Sequence, residues 1–352
     1  MKKEDFDAYI RQVEPSSAES AKAWQTAIGL QSVDGLRPSE YLLENVKKNI
    51  EGDITIEEVR QLLDSYYKKK TARTKDDDDS EEADKVSANI KKILSTNTLA
   101  FNANGFISLH RRIFEGVFKH AGQLRDYDIT KKEWVLRGGT VNYLNWEDLR
   151  QALDYDIRQE KDFSYKGLSD LEKIRHISQF VSGLWQIHPF GEGNTRTTAV
   201  FTIQYLRSLG FKVDNTPFAE HSWYFRNALV RANYKDANKG IDYTFDYLEC
   251  FFKNLLLGEH NELKNRNLLI NAPEFVSPTD DKPTITDDKT DDKSRQILQL
   301  LTEKGECKTS EIAAFIGLKP TQTKAYIYSL IQQGLIEPHG ANKNRTYRLK
   351  AQ

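Results

Sequence analysis

The chain has 352 residues, of which 38% are hydrophobic and 29% are charged. Its 51 Lys and Arg residues nearly balance its 52 Asp and Glu residues, which excludes a whole-chain affinity for polyanions and confines any such affinity to one region. No apolar run approaches the ~20 residues that a membrane-spanning helix needs, and the basic N-terminus lacks the apolar segment of a secretory signal. We therefore expect a cytoplasmic, mainly helical protein of about two or three domains without a membrane partner.

Composition divides the sequence into successive segments. Residues 1–73 predict an N-terminal helical region, and the acidic stretch Thr74–Asp84 predicts a solvated loop because it has no apolar period. Residues 84–270 form a central block. Residues 271–293 contain three prolines and three Asp-Asp-Lys triplets, which predict a flexible linker, and residues 294–352 form a small basic domain.

The central block is mostly helical by its apolar period. In residues 171–187, apolar side chains recur at spacings of three and four, which predicts a helix with one continuous apolar face. Residues 199–209 are apolar on most sides and precede Gly210, which predicts a buried helix that ends at a glycine. Two short β-prone runs around a Gly-Gly pair in residues 133–143 indicate a β-hairpin.

The segment His188–Thr198, HPFGEGNTRTT, joins these two helices. Its proline and glycines end the first helix and impose a loop, and Asn194 or Thr195 offers an oxygen that caps the second helix. A glycine-containing loop before a helix presents free backbone N–H groups to an anion. Arg196, in the first turn, adds a bidentate donor for phosphate.

Two further side chains of this segment indicate the type of reaction that it supports. Glu192 suits Mg²⁺, which prefers carboxylate oxygens together with phosphates and water. His188 is the side chain whose ordinary pKa suits a general base near neutral pH, although a histidine after an apolar helix is more often a bonded core residue. A base, a metal carboxylate and an anion cradle within nine residues together predict phosphoryl-type transfer at a nucleotide site.

HPFGEGNTR resembles the signature of the Fic (Fido) family, H-x-F-x-[DE]-G-N-G-R-x-x-R, and Phe118–Leu136 resembles the approach to that family's flap. The similarity covers about Leu99–Leu257 and implies a Fic helical bundle with a small β-hairpin flap. It implies a protein adenylyltransferase in which His188 deprotonates a Tyr, Ser or Thr hydroxyl of a target protein or of the chain itself. The hydroxyl attacks the α-phosphorus of ATP, while Glu192 holds Mg²⁺. The residues expected to bind phosphate are Gly191, Gly193, Asn194, Thr195 and Arg196.

The signature is broken at two positions. Thr195 stands where the family has its second glycine, and it adds a β-branched side chain where the backbone approaches phosphate. Ala199 replaces the final arginine, which grips the γ-phosphate in AMP-transferring members, so ATP should be held less firmly. Because other members transfer phosphate, UMP or phosphocholine, or remove AMP, AMP transfer is the leading hypothesis among several.

The segment His221–Tyr234 resembles the family's helix on the adenine side. The resemblance implies that Tyr224 stacks on the base and that Asn227 hydrogen-bonds to it. An amphipathic core helix explains the same pattern equally well, and the sequence leaves both interpretations open.

The N-terminal region resembles the antitoxin helix of some Fic systems, which carries S/T-x-x-x-E-G. The best match, LQSVDG in Leu30–Gly35, places Asp34 at the glutamate position. In the family that glutamate pairs with the final arginine of the signature. Because Ala199 removes this arginine, we expect inhibition through Asp34 to be weak or absent. The alternative is a helical module that packs on the core.

Residues 294–352 predict three helices followed by two β-prone runs, and they resemble a winged helix-turn-helix domain. Nine Lys and Arg residues against four Glu residues favour contact with a polyanion. DNA is therefore the leading partner, and protein docking or a homodimer is the alternative. The residues expected to contact DNA are Thr321, Thr323, Lys324, Tyr328, Lys343 and Arg345. The second function hypothesis is a DNA-binding transcriptional regulator whose Fic core senses a nucleotide or is degenerate.

Overall fold

The computed structural model describes residues 1–70, 73–96, 98–213, 215–270, 292–316, 323, 326–327, 330–331, 335–339 and 345–350. The chain divides into two compact units, Met1–Thr284 and Ile285–Gln352. The predicted linker, residues 271–293, lies outside the described residues up to position 291. None of the helices in these ranges is both long and apolar enough to cross a bilayer.

Helices dominate the first unit. Its α-helices in the described ranges are α1 (Lys3–Ile10), α2 (Ala18–Gly29), α3 (Glu40–Glu51), α4 (Ile56–Lys68), α5 (Lys75–Leu94), α6 (Ala103–Ile113), α7 (Leu149–Asp162), α8 (Asp170–Ile187), α9 (Asn194–Ser208), α10 (Thr216–Glu220), α11 (Ser222–Ala232) and α12 (Asp246–Leu257). The second unit contains α13 (Asp292–Lys304), β1 (Glu306–Lys308), α14 (Thr309–Ile316), β2 (Ile336–His339) and β3 (Thr346–Leu349). The structure is mainly α-helical, as predicted.

The N-terminal helices α1 to α4 enclose a small core around Trp24, which is fully buried. α3 begins after Ser39, whose hydroxyl accepts a hydrogen bond from the Leu42 N–H at 3.0 Å. It ends at Gly52, which has a left-handed φ of 87°. A short 3-10 helix, Leu30–Asp34, follows α2 and packs against α9 and α11, so this region contacts the elements that carry the predicted site.

The acidic stretch Thr74–Asp84 is not a loop but the start of α5, so that prediction is wrong. The Thr74 hydroxyl accepts a hydrogen bond from the Asp77 N–H, and the Asp77 carboxylate accepts one from the Thr74 N–H at 3.0 Å. The acidic residues of the first turn are stabilised by the positive end of the helix dipole. Asp84 is fully buried and accepts a hydrogen bond from the Ser39 N–H at 2.8 Å, and burial raises its pKa to about 6.

The main core lies between α5, α6, α8, α9, α11 and α12. α8 buries one continuous face, as predicted, although Leu171 near its start is 59% exposed. α9 is buried from Asn194 to Leu206, and Gly210 follows its end with a φ of 85°, as predicted. Both helices are therefore fixed in the core on either side of the loop formed by residues 188–193.

Residues 133–143 do not form the predicted β-hairpin. They form a short 3-10 turn that is closed by a single antiparallel bridge between Glu133 and Gly139. Val135 and Leu136 are both buried in the core, whereas adjacent residues of a strand point to opposite faces of a sheet. Burial of both side chains favours the turn, and the expected flap is a compact loop.

The second unit packs α13 and α14 with a three-stranded antiparallel sheet in the order β1-β3-β2. β2 and β3 are the two predicted β-prone runs, and their register pairs Ile336 with Leu349. β1, which the sequence did not predict, pairs Cys307 with Tyr347 of β3, and both side chains lie in the core of this unit. α13, α14 and the two-stranded wing agree with the predicted winged helix, whereas most of the predicted third helix, residues 320–334, lies outside the described residues.

The residues predicted to contact DNA are described only in part. Four of them lie outside the described residues: Thr321, Lys324, Tyr328 and Lys343. Thr323 is fully buried, so the prediction that it faces a groove is wrong. Arg345 is exposed directly before β3, a position from which it can reach a phosphate.

Candidate active site

α8 ends at Ile187 and is followed by His188, whose backbone adopts a left-handed φ of 48° that is uncommon for a residue with a side chain. Arg125 stabilises this turn. Its Nε donates a hydrogen bond to the His188 carbonyl at 2.8 Å, and its Nη2 donates to the carbonyl of Leu144. Its backbone N–H donates to the Pro189 carbonyl at 2.9 Å. Because Arg125 is 5% exposed, these bonds are shielded from water and fix the position of His188.

The His188 imidazole is 3% exposed and lies against the Tyr143 ring, with the ring centroids 4.2 Å apart. Its Nδ1 lies 3.3 Å from the Trp185 carbonyl oxygen, an arrangement in which Nδ1 carries the proton and donates it. Nε2 is then the unprotonated nitrogen, and among the described residues it has no hydrogen-bond partner. Burial and, after it, the Lys131 cation hold the pKa of His188 well below its ordinary value, so the ring is a neutral base at pH 7.

The side chain of Asn194 closes the loop and does not cap α9. Its Oδ1 accepts a hydrogen bond from the Phe190 N–H at 3.0 Å, and its Nδ2 donates to the Phe190 carbonyl at 2.7 Å. The Thr195 hydroxyl accepts a hydrogen bond from the Trp185 indole at 2.9 Å. The predicted side-chain cap is therefore wrong, because both oxygens bond elsewhere and Gly193 occupies the N-cap position.

The backbone N–H groups at the N-terminus of α9 are candidate donors to an anion. Within the described part of the chain, the backbone N–H groups of residues 191–196 have no hydrogen-bond partner. The first N–H groups of an α-helix have no partner within the helix, and the positive end of the helix dipole lies at the same place. Unpaired donors at a helix N-terminus suit the binding of phosphate oxygens, which agrees with the anion cradle predicted from the sequence.

Two glycines allow the loop to pack tightly against its neighbours. Gly193 has a φ of 74°, and a Cβ at this position would lie 2.1 Å from an atom of the Phe114 ring. A Cβ at Gly191 would lie 2.8 Å from the Tyr127 hydroxyl oxygen. A side chain at Gly193 would therefore displace the loop or the Phe114 ring, whereas one at Gly191 would displace only the end of the exposed Tyr127 side chain.

Phe190 anchors the loop in the core. It is fully buried and stacks on the His110 ring, with the centroids 3.7 Å apart. His110 Nδ1 accepts a hydrogen bond from the Gly122 N–H at 2.8 Å, so its Nε2 carries the proton and donates to the Glu192 carbonyl at 3.1 Å. Burial lowers the pKa of His110 to about 3, which keeps the ring neutral. His110 thus fixes the backbone of Glu192.

The Glu192 carboxylate is 59% exposed and lies 3.6 Å from Lys131 Nζ. In the described ranges, no three His, Cys, Asp or Glu side chains form a cluster that could hold a metal ion. A single exposed carboxylate suits Mg²⁺, which usually keeps several waters and takes its other ligands from the substrate phosphates. The donor set therefore fits a metal ion that is bound together with a nucleotide.

Arg196 is held by groups from the N-terminal part of the chain. It is 1% exposed, its Nη1 donates a hydrogen bond to Gln31 at 3.0 Å, and its Nη2 donates to Glu82 at 2.6 Å. Its Nε lies 2.8 Å from an Asp34 oxygen, in an ion pair without hydrogen-bond alignment. The guanidinium also lies over the Phe114 ring, 4.8 Å from its centroid. The predicted phosphate donor is therefore engaged by protein groups in this structure.

The expectation that Asp34 lacks an arginine partner is wrong. In addition to Arg196, Asp34 meets Nη1 of Arg226 at 3.5 Å. Burial by itself would raise the pKa of Asp34, but the surrounding cations, chiefly Arg196 and Arg226, outweigh burial and hold that pKa below its ordinary value. The expectation considered only the position of Ala199, whereas the pair forms with the first arginine of the signature.

The residues predicted to contact adenine lie in the core. Tyr224 is 2% exposed, and its hydroxyl donates a hydrogen bond to the Tyr247 carbonyl at 3.3 Å. Asn227 is fully buried, and its Nδ2 donates to Asn265 Oδ1 at 2.8 Å. These contacts favour the alternative interpretation, an amphipathic core helix, and do not support stacking on a base.

Two family models match the chain. Residues 100–206 match the model described as Fic/DOC family, and residues 290–337 match the model described as winged helix-turn-helix DNA-binding. The chain contains a Fic/DOC domain. A winged helix-turn-helix domain follows it. The Fic match includes the whole loop from His188 to Arg196 and the residues Arg125 and Lys131.

Two curated proteins are similar to the Fic part of the chain. Protein adenylyltransferase VbhT of Bartonella schoenbuchensis is 24% identical over 198 residues, which cover 51% of this chain and 40% of that protein. Probable protein adenylyltransferase y4lH of Sinorhizobium fredii is 29% identical over 131 residues, which cover 36% of this chain and 62% of that protein. The matched part thus spans less than two thirds of either relative.

Two solved structures also align with the chain. A Fic family protein from Desulfovibrio desulfuricans covers 97% of this chain and 90% of its own length at 14% identity, with a TM-score of 0.43. The N-terminal Fic domain of an effector from Bartonella sp. AR 15-3 covers 50% of this chain and 82% of its own length at 20% identity, with a TM-score of 0.40.

Several residues that shape the loop of the Fic domain lie outside the signature and were not predicted. His110 belongs to α6, whereas Arg125 and Lys131 belong to the segment Phe118–Leu136, which the sequence associated only with the flap. None of the three belongs to the signature or to an apolar helical period. Their roles depend on tertiary contacts, which a local pattern does not carry.

Proposed function

We propose that this chain transfers AMP from ATP to a Tyr, Ser or Thr hydroxyl of a protein, with His188 as the general base. The observation that carries the proposal is the neutral His188 imidazole beside the open N–H groups of residues 191–196. The relatives named as protein adenylyltransferases support the same class of reaction. The acceptor hydroxyl belongs to another protein or to the chain itself.

Each group of the loop has one task in this reaction. Nε2 of His188 takes the proton of the acceptor hydroxyl, its oxygen bonds to the α-phosphorus, and the bond between the α-phosphorus and the bridging oxygen breaks to release pyrophosphate. The N–H groups of residues 191–196 bind the phosphate oxygens on which negative charge develops. Glu192 would hold Mg²⁺, which supplies further neutralisation of the phosphate charge when it is bound.

The contacts of Arg196 support a brake by the N-terminal region. Asp34 and Glu82 hold the guanidinium, so it cannot turn to a phosphate without breaking both ion pairs. The inhibitory role that the sequence assigned weakly to Asp34 thus acts on Arg196 and does not need the missing final arginine. In this proposal the structure corresponds to a restrained form of the enzyme.

ATP labelled at either the α- or the γ-phosphorus tests the reaction. The full chain, Mg²⁺ and a cell extract should give protein that retains α label and no γ label, and His188→Ala should abolish the signal. His260→Ala, which changes an exposed histidine, is the matched control and should behave as wild type. Retained γ label would indicate phosphate transfer, and absence of any label from wild type and from Asp34→Asn would exclude catalysis.

A second function, DNA binding, is favoured by the winged helix-turn-helix match and by the excess of basic residues after Ser294. Exposed Arg345 is the residue best placed to contact a phosphate in the described part of this domain. Arg345→Ala should weaken binding of the full chain to duplex DNA. It should also reduce the slope of log binding constant against log salt concentration by about one, whereas exposed Arg158→Ala should change neither. If wild type binds no duplex in a mobility-shift assay at low salt, protein docking or dimerisation replaces this function.

A further inference from the structure

Three cations lie close enough to the His188 imidazole to lower its pKa in addition to burial, namely Lys131, Arg226 and Arg125. Arg125 donates its hydrogen bonds to backbone carbonyls. Arg226 pairs with the buried Glu133 carboxylate at 3.1 Å. Both guanidinium groups are therefore committed to protein partners.

Lys131 differs from the two arginines. Its ammonium lies 3.6 Å from a carboxylate oxygen of Glu192, which is longer than a hydrogen bond, and the described residues offer it no hydrogen-bond partner. Its side chain is 27% exposed. Its ammonium therefore lies beside the proposed metal ligand and is close enough to the proposed base to lower the pKa of His188.

In this structure, the first turns of α9 contain no side-chain cation that is available to bind a nucleotide phosphate. Ala199, which replaces the final arginine of the signature, is fully buried in the core. Arg196 is held by Gln31, Asp34 and Glu82. The open N–H groups of the loop carry only partial charges, so a nucleotide polyphosphate needs a full positive charge from outside the helix.

We propose that Lys131 binds the diphosphate group of a Mg²⁺-bound nucleotide and so replaces the missing final arginine. This inference rests on the proposed function, because it takes the loop as the phosphate site. Once a divalent cation takes the Glu192 carboxylate, the ammonium of Lys131 loses its partner and pairs with phosphate oxygens. Lys131 lies two residues before Glu133, whose buried carboxylate is fixed by Arg226.

Calorimetric binding of ATP, ADP and adenosine to the full chain, with Mg²⁺ present, tests the inference. Lys131→Met should weaken ATP and ADP by about ten- to a hundredfold and leave adenosine unchanged, since a hydrogen bond to a charged group is lost. Lys131→Arg should retain most of the affinity. Lys132→Met, which neutralises the adjacent and exposed lysine, is the matched control and should bind as wild type.

Equal ATP affinity in Lys131→Met and wild type would overturn the inference. It would also be overturned if Lys131→Met lowered turnover and moved its pH profile at unchanged ATP affinity, because Lys131 would then act only on His188. If ATP binds in a Lys131-dependent way and no AMP is transferred, the proposed function fails and the inference stands. If AMP is transferred and Lys131→Met keeps the affinity of wild type, the inference fails and the proposed function stands.

Discussion

The two ends of the loop between α8 and α9 are held in different ways. The His188 end is fixed by buried groups of the Fic domain, and Arg125 holds it through backbone carbonyls. The Arg196 end is held through its side chain by Asp34 of the N-terminal region and by Glu82 of α5. The proposed base is therefore held by buried hydrogen bonds, whereas the proposed phosphate-binding cation is held by ion pairs with two partly exposed carboxylates.

Gly193→Ala should disturb the loop more than any other change at the His188 end. The added Cβ would meet the Phe114 ring at 2.1 Å and would force a side chain into a positive φ. We expect a loss of roughly 2–5 kcal/mol in the free energy of unfolding, measured by urea denaturation, and a loss of activity. Gly210→Ala is the matched control, because φ is 85° there but no atom lies within 4 Å, so about 1–2 kcal/mol is expected. Equal losses would contradict the tight contact with Phe114.

Arg125→Met should separate positioning of the base from its chemistry. The change leaves the carbonyls of His188 and Leu144 without their donor, so the turn loosens. We expect kcat to fall by about a hundredfold, with little change in the KM for ATP. Exposed Arg112→Met is the control for loss of a surface arginine. A kcat close to that of wild type in a correctly folded Arg125→Met protein would show that this anchor is not needed.

The double variant Asp34→Asn, Glu82→Gln should release the Arg196 end of the loop. Both ion pairs of the guanidinium are lost, so Arg196 can turn to a phosphate, and the initial rate of AMP transfer should rise by about tenfold. Exposed Asp53→Asn, also in the N-terminal region, should leave the rate unchanged. A double variant that is less stable and no more active would mean that Asp34 and Glu82 only anchor the N-terminal region.

A smaller effect is expected in the pH dependence of AMP transfer, which tests the His188 end of the loop. Burial and the Lys131 cation hold the pKa of His188 below its ordinary value of 6.5, and the neutral imidazole is the active form. As the pH falls, kcat/KM should therefore stay constant to about pH 6.5 and decrease only below it. A decrease centred above pH 6.5 would contradict the buried, neutral imidazole.

The sequence predicted the elements that carry the loop because their apolar periods report burial directly. The segment 171–187 lies within α8 and Gly210 follows α9, both as expected. The prediction of a loop at Thr74–Asp84 is wrong, because Thr74 and Asp77 form a helix cap although the charged residues there lack an apolar period. A capping residue ahead of an acidic first turn was the signal that could have identified α5.

The sequence predicted the loop of the candidate site, but it did not predict the residues that contact this loop. His188, Glu192 and the glycines stand in one short signature, so a local pattern is sufficient to find them. The pairing of Asp34 with Arg196 joins residues far apart in the chain, and no period or motif connects them. The prediction of a β-hairpin at residues 133–143 is also wrong because of tertiary contacts. The burial of Val135 and Leu136 in the core overrides their preference for a strand.

The most direct test is a crystal structure of the Asp34→Asn, Glu82→Gln variant with Mg²⁺ and an ATP analogue that cannot be cleaved at the α-phosphorus. The account predicts that the phosphates bind the N–H groups of residues 191–196, that Glu192 ligates the metal, and that Nε2 of His188 faces the α-phosphorus. An imidazole whose Nε2 faces away from the α-phosphorus, with the phosphates bound elsewhere, would contradict it.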